Sequence, residues 1–134
     1  MRSHAVVGMQ RETALRRAVQ DHQIRVAYQP VVDVHSGRVL AHEALARWTP
    51  PDGRPVSPST FIALADQTGL IEELGEQVLR QACSEAVGWQ PEGGQPPRLA
   101  VNVSPCELAA PGYGDRVLAV LANTGLGPAG STSS

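Results

Sequence analysis

The segment 24–48, IRVAYQPVVDVHSGRVLAHEALARW, determines how the rest of the sequence can fold. Its first part, residues 24–34, is rich in β-branched and apolar residues, and residues 38–48 form a second extended run. Between them, residues 35–37 (HSG) are short, polar and contain glycine. Two such runs around a Gly-containing turn predict a β-hairpin. Because Pro30 lacks an amide hydrogen, we expect the first strand to be an edge strand or to be bulged at that point.

The sequence after the hairpin predicts helices and a further strand. Ser57 followed by Pro58 is typical of a helix N-terminus, with the hydroxyl capping a free amide. Gly69 is typical of the C-terminus of the same helix. The other predicted elements are a helix at residues 12–21, a helix at 70–89, a strand at 98–104, a helical turn at 105–110 and a helix at 115–123. This order predicts an α/β layered or barrel fold with parallel strand pairing.

The two ends of the sequence carry weaker patterns. We expect residues 1–11 to be a disordered leader, because the helical spacing of apolar residues begins only after them. Residues 127–134, GPAGSTSS, are a low-complexity segment with nothing to bury, and we expect them to be a disordered tail. The domain would then span residues 12–126.

Composition limits the function classes. The length of 134 residues suits one domain, and a hydrophobic content of 42% is ordinary for a globular protein. A net charge of -2 argues against a surface that binds DNA or RNA. All 11 basic residues are arginine, which excludes lysine chemistry within the chain. No apolar run reaches the roughly 18–20 residues that span a bilayer, and no secretory signal is visible, so we expect a cytoplasmic protein.

Several motifs that would indicate other chemistry are absent. There is no HExxH pair for zinc and no GxxxxGK[ST] loop for nucleoside triphosphates. The glycines at residues 125–130 match GxGxxG formally, but they follow a predicted helix and not a strand. Cys83 and Cys106 lack CxxC spacing, so we expect two free thiols, and a disulfide between them has no support.

The second strand of the hairpin carries two charged residues on one face. Side chains alternate along a strand, so Glu43, Leu45 and Arg47 share a face and Ala44 and Ala46 share the other. Charged groups on a mostly apolar strand are costly to bury unless they are paired or used. Two interpretations remain at this point, a salt-bridge network at the strand end, or a site for a metal ion and an anion.

Asn102 lies near the C-terminal end of the predicted strand at residues 98–104. Ligands of α/β folds gather at that end of parallel strands. The amide oxygen of asparagine can ligate a hard cation, and its amide group can hydrogen-bond a ligand. The alternative is that Asn102 satisfies a backbone amide of the following loop.

Several segments resemble the EAL domain, the bacterial cyclic di-GMP phosphodiesterase family named for its Glu-Ala-Leu motif. The resemblance begins at Tyr28-Gln29-Pro30 and includes Glu43-Ala44-Leu45 itself. The other matching segments are residues 31–33, 37–39, 46–48, 56–58, 61–65, 68–71, 74–75, 78–83, 101–104 and 118–126. The matches occur in the family's order and cover roughly residues 12–126.

This resemblance implies a fold, a reaction and a set of site residues. The fold would be a TIM-like barrel whose first strand runs antiparallel to the others. The reaction would be hydrolysis of cyclic di-GMP to linear pGpG with two divalent cations, Mg²⁺ or Mn²⁺. Glu43 and Asn102 would be ligands of one cation. Gln29 and Arg47 would contact the substrate, and Leu45 would lie at the wall of the site.

The sequence also departs from the family. A TIM-type barrel takes about 250 residues, so we expect this sequence to supply a truncated first half. The family's Asp-Asp-Phe-Gly motif and catalytic lysine are absent from it. We therefore expect no complete catalytic set, no activity of the 134 residues alone, marginal stability, and self-association or a complementary barrel half. The alternatives are a non-catalytic module that binds cyclic di-GMP or a protein, and a non-functional fragment.

Overall fold

The computed structural model describes residues 4–51, 53–89, 98–125 and 131–133. Its elements follow the predicted order, with one short strand added. They are α1 (His4–Gln20), β1 (Arg25–Val32), β2 (Val39–Arg47), α2 (Pro58–Thr68), α3 (Ile71–Ala86), β3 (Leu99–Val101), α4 (Pro105–Ala109), α5 (Tyr113–Thr124) and β4 (Ser131–Ser133).

Strands β1 and β2 form the predicted antiparallel hairpin, in which Gln29 lies opposite Glu43. The turn is closed by two backbone bonds, in which the Gly37 amide donates to the Asp33 carbonyl at 2.7 Å and the Asp33 amide donates to Arg38 at 2.8 Å. Gly37 has a φ of 73°, a left-handed conformation that favours glycine. The expected hairpin is thus confirmed.

The sheet continues from β2 in parallel. Strand β3 pairs with β2 in parallel, with Ala100 opposite Glu43. Strand β4 pairs with β3, also in parallel, which gives the order β1-β2-β3-β4. Among the described strands β1 is therefore an edge strand, as Pro30 predicted, and the register shifts just after it, between Val31 and Val32. The α/β fold with an antiparallel first strand is confirmed.

Helices α3 and α5 cover one face of this sheet. One apolar cluster joins strand residues to α3 and α5; its buried members are Ala44, Ala82, Cys83, Ala86, Leu99, Val101, Val120 and Leu121. A second cluster joins α1, α2 and the start of α3 around Trp48 and Phe61, whose rings meet edge to face at 5.9 Å. Because side chains alternate, residues next to Ala44 on β2 point to the opposite face. We call that side of β1, β2 and β3 the open face.

The structure near both termini differs from what the sequence led us to expect. Helix α1 begins at His4, so most of the expected leader is helical. Residues 12–20 continue this helix, and Leu15, Ala18 and Val19 anchor it in the core. Ser131–Ser133, inside the expected tail, pairs with β3, because a ladder of backbone hydrogen bonds needs no apolar side chain. The expected disorder of residues 1–3, 127–130 and 134 lies outside the described residues.

Helix α2 has the predicted bounds but not the predicted cap. It runs from Pro58 to Thr68 and ends at Gly69, whose φ is 79°. The Ser57 hydroxyl makes no capping bond to a backbone amide; it lies 3.0 Å from the Ser59 hydroxyl instead. The two side-chain hydroxyls satisfy each other, so proline at the first position sets this helix start without a side-chain cap.

Candidate functional site

Strand β2 presents Glu43, Leu45 and Arg47 on the open face. Their neighbour Ala44 is buried against α3 and α5, and the pleat directs the residues on either side of it away from the helices. Gln29 lies directly opposite Glu43 across the hairpin and therefore shares this face. Glu43 and Leu45 are half-buried, whereas Gln29 and Arg47 are exposed. Four of the five predicted site residues thus share one surface of the hairpin.

Packing on the helix side fixes the orientation of the hairpin. Tyr28 and His42 both point toward the helices and contact the Trp89 ring, with centroid distances of 4.9 and 5.0 Å. Burial, and then the neighbouring Glu85 carboxylate, raise the pKa of Tyr28. Gln29 and Glu43 are the chain neighbours of these two aromatic residues. Because side chains alternate, the aromatic contacts hold both polar residues on the open face.

Asn102 joins the same site from β3. Leu99 and Val101 are buried, so the alternation along the strand turns Ala100 and Asn102 to the open face. The Asn102 amide Nδ2 donates a hydrogen bond to Glu43 Oε1 at 2.7 Å. The structure therefore brings both residues predicted to bind metal into direct contact, at the C-terminal end of β3.

A salt-bridge network at the end of β2 is not seen. Within the described residues the ion pairs are Arg16–Glu12, Arg80–Glu76 and Arg116–Glu72, all with exposed side chains. Neither Glu43 nor Arg47 takes part in them. The described ion pairs therefore do not account for Glu43 and Arg47 on the open face.

The side-chain oxygen atoms of Glu43 and Asn102 match part of the ligand set of a cation site. The Glu43 carboxylate and the Asn102 amide oxygen are hard oxygen ligands of the kind that Mg²⁺ and Mn²⁺ bind. Among the described residues, however, no group of three or more His, Cys, Asp or Glu side chains could hold a metal ion. Two side chains therefore supply only a minority of the ligands of an octahedral cation.

A cavity of about 290 Å³ lies between the sheet and the helices and reaches Asn102, although Glu43 does not line it. Leu45 and Asn102 contribute to its wall, and most of the remaining wall is apolar and comes from α3 and α5. Its polar wall residues include Tyr113 and Glu107, and for both of them burial raises the pKa. The cavity places a buried carboxyl group near the candidate site.

Sequence reasoning did not identify Glu107 or its partner Ser104. Ser104 is the N-cap of α4, and a reciprocal pair of hydrogen bonds joins it to Glu107. The available signal was Ser104-Pro105-Cys106-Glu107, which has the S-x-x-E spacing of a capping box. Both residues lie within five positions of Asn102.

The two cysteines of the chain are free thiols, as expected. Cys83 is buried and Cys106 is exposed. Within the described ranges no helix combines the length and apolar character needed to cross a bilayer.

Comparisons with known proteins identify the family. The EAL domain family model matches residues 12–130. The uncharacterized protein y4lL of Sinorhizobium fredii is 43% identical over 115 residues, which are 86% of this chain and 13% of that protein. The oxygen sensor protein DosP of Escherichia coli is 38% identical over 91 residues, which are 68% of this chain and 11% of that protein.

A solved structure gives the same assignment. The complex of PaMucR phosphodiesterase with c-di-GMP superposes with a TM-score of 0.82 and 35% sequence identity. The superposition covers 90% of this chain and 49% of that one, so the chain spans about half of the protein it matches. The matched region includes the hairpin, β3 and the residues of the open face. The chain belongs to the EAL domain family.

Proposed function

We propose that these residues form the N-terminal part of a cyclic di-GMP phosphodiesterase site, which hydrolyses cyclic di-GMP to linear pGpG with Mg²⁺ or Mn²⁺. The observation that carries this proposal is the contact between Glu43 and Asn102 on the open face. Gln29 and Arg47 flank it on the same surface. The family and the c-di-GMP complex of the PaMucR phosphodiesterase support the choice of substrate.

Each residue would have a separate role. Glu43 and Asn102 would hold one divalent cation, with Asn102 turning its amide oxygen toward the ion, because an amide nitrogen cannot ligate it. The bound ion would neutralise phosphate charge and lower the pKa of a coordinated water. Arg47 would hold a phosphate through its planar guanidinium, and Gln29 would hydrogen-bond the nucleotide. Leu45 would pack against the substrate at the wall of the site.

The 134 residues alone would not catalyse hydrolysis. Two protein ligands leave most positions of a first cation unfilled and provide none for a second. The missing ligands would come from residues outside these 134, which fits a chain that spans about half of the solved structure it matches. In the isolated chain we therefore expect nucleotide binding without turnover.

A second candidate is a non-catalytic EAL module that binds cyclic di-GMP. The incomplete ligand set among the described residues favours it, because Gln29 and Arg47 can contact a nucleotide without a bound metal pair. A chain that neither binds nor hydrolyses the nucleotide would instead support the third interpretation, a non-functional fragment.

One experiment separates these functions. The purified 134-residue chain is titrated with cyclic di-GMP in the presence of Mn²⁺ or Mg²⁺, and linear pGpG is measured by chromatography. Wild type is compared with Glu43→Ala and with Glu73→Ala, which removes an exposed carboxylate on α3. Binding without turnover that requires the metal ion and is weakened by both Glu43→Ala and Arg47→Ala, but not by Glu73→Ala, supports the proposal. Binding that is weakened by Arg47→Ala but is the same with and without metal and in Glu43→Ala supports the non-catalytic module instead. Turnover that Glu43→Ala abolishes would show that the chain assembles a complete site and would overturn the expected inactivity.

We further propose that a complementary barrel half covers the open face. The buried clusters of the described residues include no open-face side chain of β1, β2 or β3. Co-expression with a polypeptide that carries the missing half, followed by light scattering, tests this pairing. Dimers of the chain alone would identify a second copy as the occupant instead. A cytoplasmic location stays a prediction.

A further inference from the structure

Asn102 lies in a segment with little regular structure of its own. Residues 102–104 connect β3, which has three residues, to α4, which has five. Asn102 itself is exposed. A short, exposed connection moves unless other contacts fix it, because few buried contacts mean low local stability. Contacts made by the residues that follow Asn102 therefore bear on its position beside Glu43.

The capping box of α4 fixes the far end of this segment. The Ser104 backbone amide donates to Glu107 Oε1 at 3.2 Å, and the Glu107 amide donates to the Ser104 hydroxyl at 3.1 Å. These two bonds satisfy amides that a helix start leaves without a partner. They also hold Ser104, two residues after Asn102, against the first turn of α4.

Glu107 joins this segment to α3. Its side chain is only 8% exposed, and its carboxyl group lies directly against Gly75 in the middle of α3. A Cβ atom at residue 75 would overlap the Glu107 carboxyl group. Glycine inside a helix costs about 1 kcal/mol relative to alanine. The presence of glycine at position 75 is therefore explained by the Glu107 carboxyl group, which occupies the space that a Cβ atom would need.

The same helix also fixes the position of Glu43. Ala44, the neighbour of Glu43 on β2, packs against Ala82, Cys83 and Ala86 of α3. Helix α3 therefore contacts β2 beside Glu43 through this apolar cluster, and it contacts the segment of Asn102 through Glu107. The two residues of the candidate metal site are positioned relative to one rigid element.

We propose that Glu107 is a positioning residue, whose contacts with Ser104 and Gly75 hold Asn102 beside Glu43. The importance of Glu107 for function rests on the proposed metal site, but its effect on the position of Asn102 does not. Loss of the Glu107 carboxyl group would release Ser104 and let Asn102 leave Glu43. Glutamine would preserve the contacts, because it keeps the length and the acceptor oxygen that receives the Ser104 amide.

The test uses the side-chain amide signals of Asn102 in nitrogen-15 NMR spectra of the 134-residue chain, without metal or nucleotide. The Asn123 side-chain amide, exposed on α5, is the internal reference. We expect Glu107→Ala to shift or broaden the Asn102 signal alone, and Glu107→Gln to restore it. Glu73→Ala, which removes an exposed carboxylate from α3, should leave both signals unchanged.

A second pair of variants keeps the test decisive if Glu107→Ala does not fold. Gly75→Ala should displace the Glu107 side chain and shift the Asn102 signal, and Glu107→Gln should not relieve this overlap. Adding Glu107→Ala to Gly75→Ala should remove the overlap and recover part of the lost melting temperature. An unchanged Asn102 signal in folded Glu107→Ala or Gly75→Ala protein would overturn the proposal.

Manganese binding then separates this inference from the proposed function. If wild type binds Mn²⁺, Glu107→Ala should weaken binding about tenfold or more, as is usual for residues that orient a ligand, and Glu107→Gln should not. If wild type binds no Mn²⁺ while the Asn102 signal still responds to Glu107, the proposed metal site fails and the positioning role stands.

Discussion

The Asn102 side chain donates a hydrogen bond to the Glu43 carboxylate at 2.7 Å, although 59 residues separate them in the chain. The contact exists because β2 and β3 pair in parallel with Glu43 opposite Ala100. It brings together a carboxylate and an amide on a face that α3 and α5 do not cover.

Removal of either residue of this pair should impair cation binding. We expect Glu43→Ala and Asn102→Ala each to weaken Mn²⁺ binding at least about tenfold, because each removes a ligand of the same ion. The loss of binding free energy in the double variant should be smaller than the sum of the losses in the two single variants, since the two residues bind the same ion together. Electron paramagnetic resonance titration of free Mn²⁺ measures these affinities. Additive losses, or an equal loss in the control Asn123→Ala, would contradict a shared ion.

Replacement of Arg47 by lysine should lower the affinity of the chain for cyclic di-GMP. Lysine keeps the charge but lacks the planar pair of donors that matches a phosphate. Hydrogen bonds to charged groups contribute about 1.5–3 kcal/mol, so we expect Arg47→Lys to weaken cyclic di-GMP binding about tenfold or more. Calorimetric titration measures this change. The matched control is Arg38→Lys at the hairpin turn, and equal weakening there would indicate nonspecific electrostatic attraction.

Phe61 should be the most sensitive apolar residue of the α1–α2 cluster. It is fully buried and meets the Trp48 ring edge to face at 5.9 Å. Truncation of a buried phenylalanine to alanine costs about 3–5 kcal/mol, a large part of the stability of a small domain. Urea unfolding followed by Trp fluorescence measures this loss. Leu118→Ala on α5 is the control, because Leu118 is 57% exposed and should lose no more than about 0.5 kcal/mol.

Glu107 should make stability depend on pH. Burial raises the pKa of its carboxyl group, and the hydrogen bonds from Ser104 lower it less. The folded chain therefore binds this proton more tightly than the unfolded chain does. The resulting stabilisation is complete below the pKa of the unfolded state and is lost as the pH rises through the raised folded pKa.

Glutamine does not titrate, so Glu107→Gln isolates this effect. The unfolding free energy of wild type minus that of Glu107→Gln should decrease as the pH rises above about 4, the usual pKa of a glutamate in an unfolded chain. Urea unfolding of both proteins at several pH values gives this difference. A difference that grows with pH would mean that the carboxylate, and not the protonated acid, is the form that the fold favours.

The parts of the fold that local residue types specify could be predicted from the sequence. The hairpin follows from two β-rich runs around Gly37, and α2 has its predicted bounds, Pro58–Thr68, because proline and Gly69 terminate it locally. The start of α1 and the strand Ser131–Ser133 were missed. Both lie in segments whose own residues give weak patterns, and β4 exists through pairing with a distant strand.

The candidate site was predictable to a similar degree. The period of two along β2 was enough to place Glu43, Leu45 and Arg47 on one face. The contact of Glu43 with Asn102 was not derivable from spacing, because it depends on the register of β2 against β3. The reason for glycine at position 75 was not derivable either, since the side chain that fills its space comes from a residue 32 positions later, Glu107.

The alternation along β2 has a consequence for how this domain can diversify. Ala44 and Ala46 pack toward the helices, whereas Glu43, Leu45 and Arg47 point away from them. One strand of nine residues therefore separates, position by position, the residues that pack in the core from those that we propose to contact a ligand. A library that randomises the three outward positions should yield mostly folded proteins with altered recognition, and one that randomises the two inward positions should yield mostly aggregates.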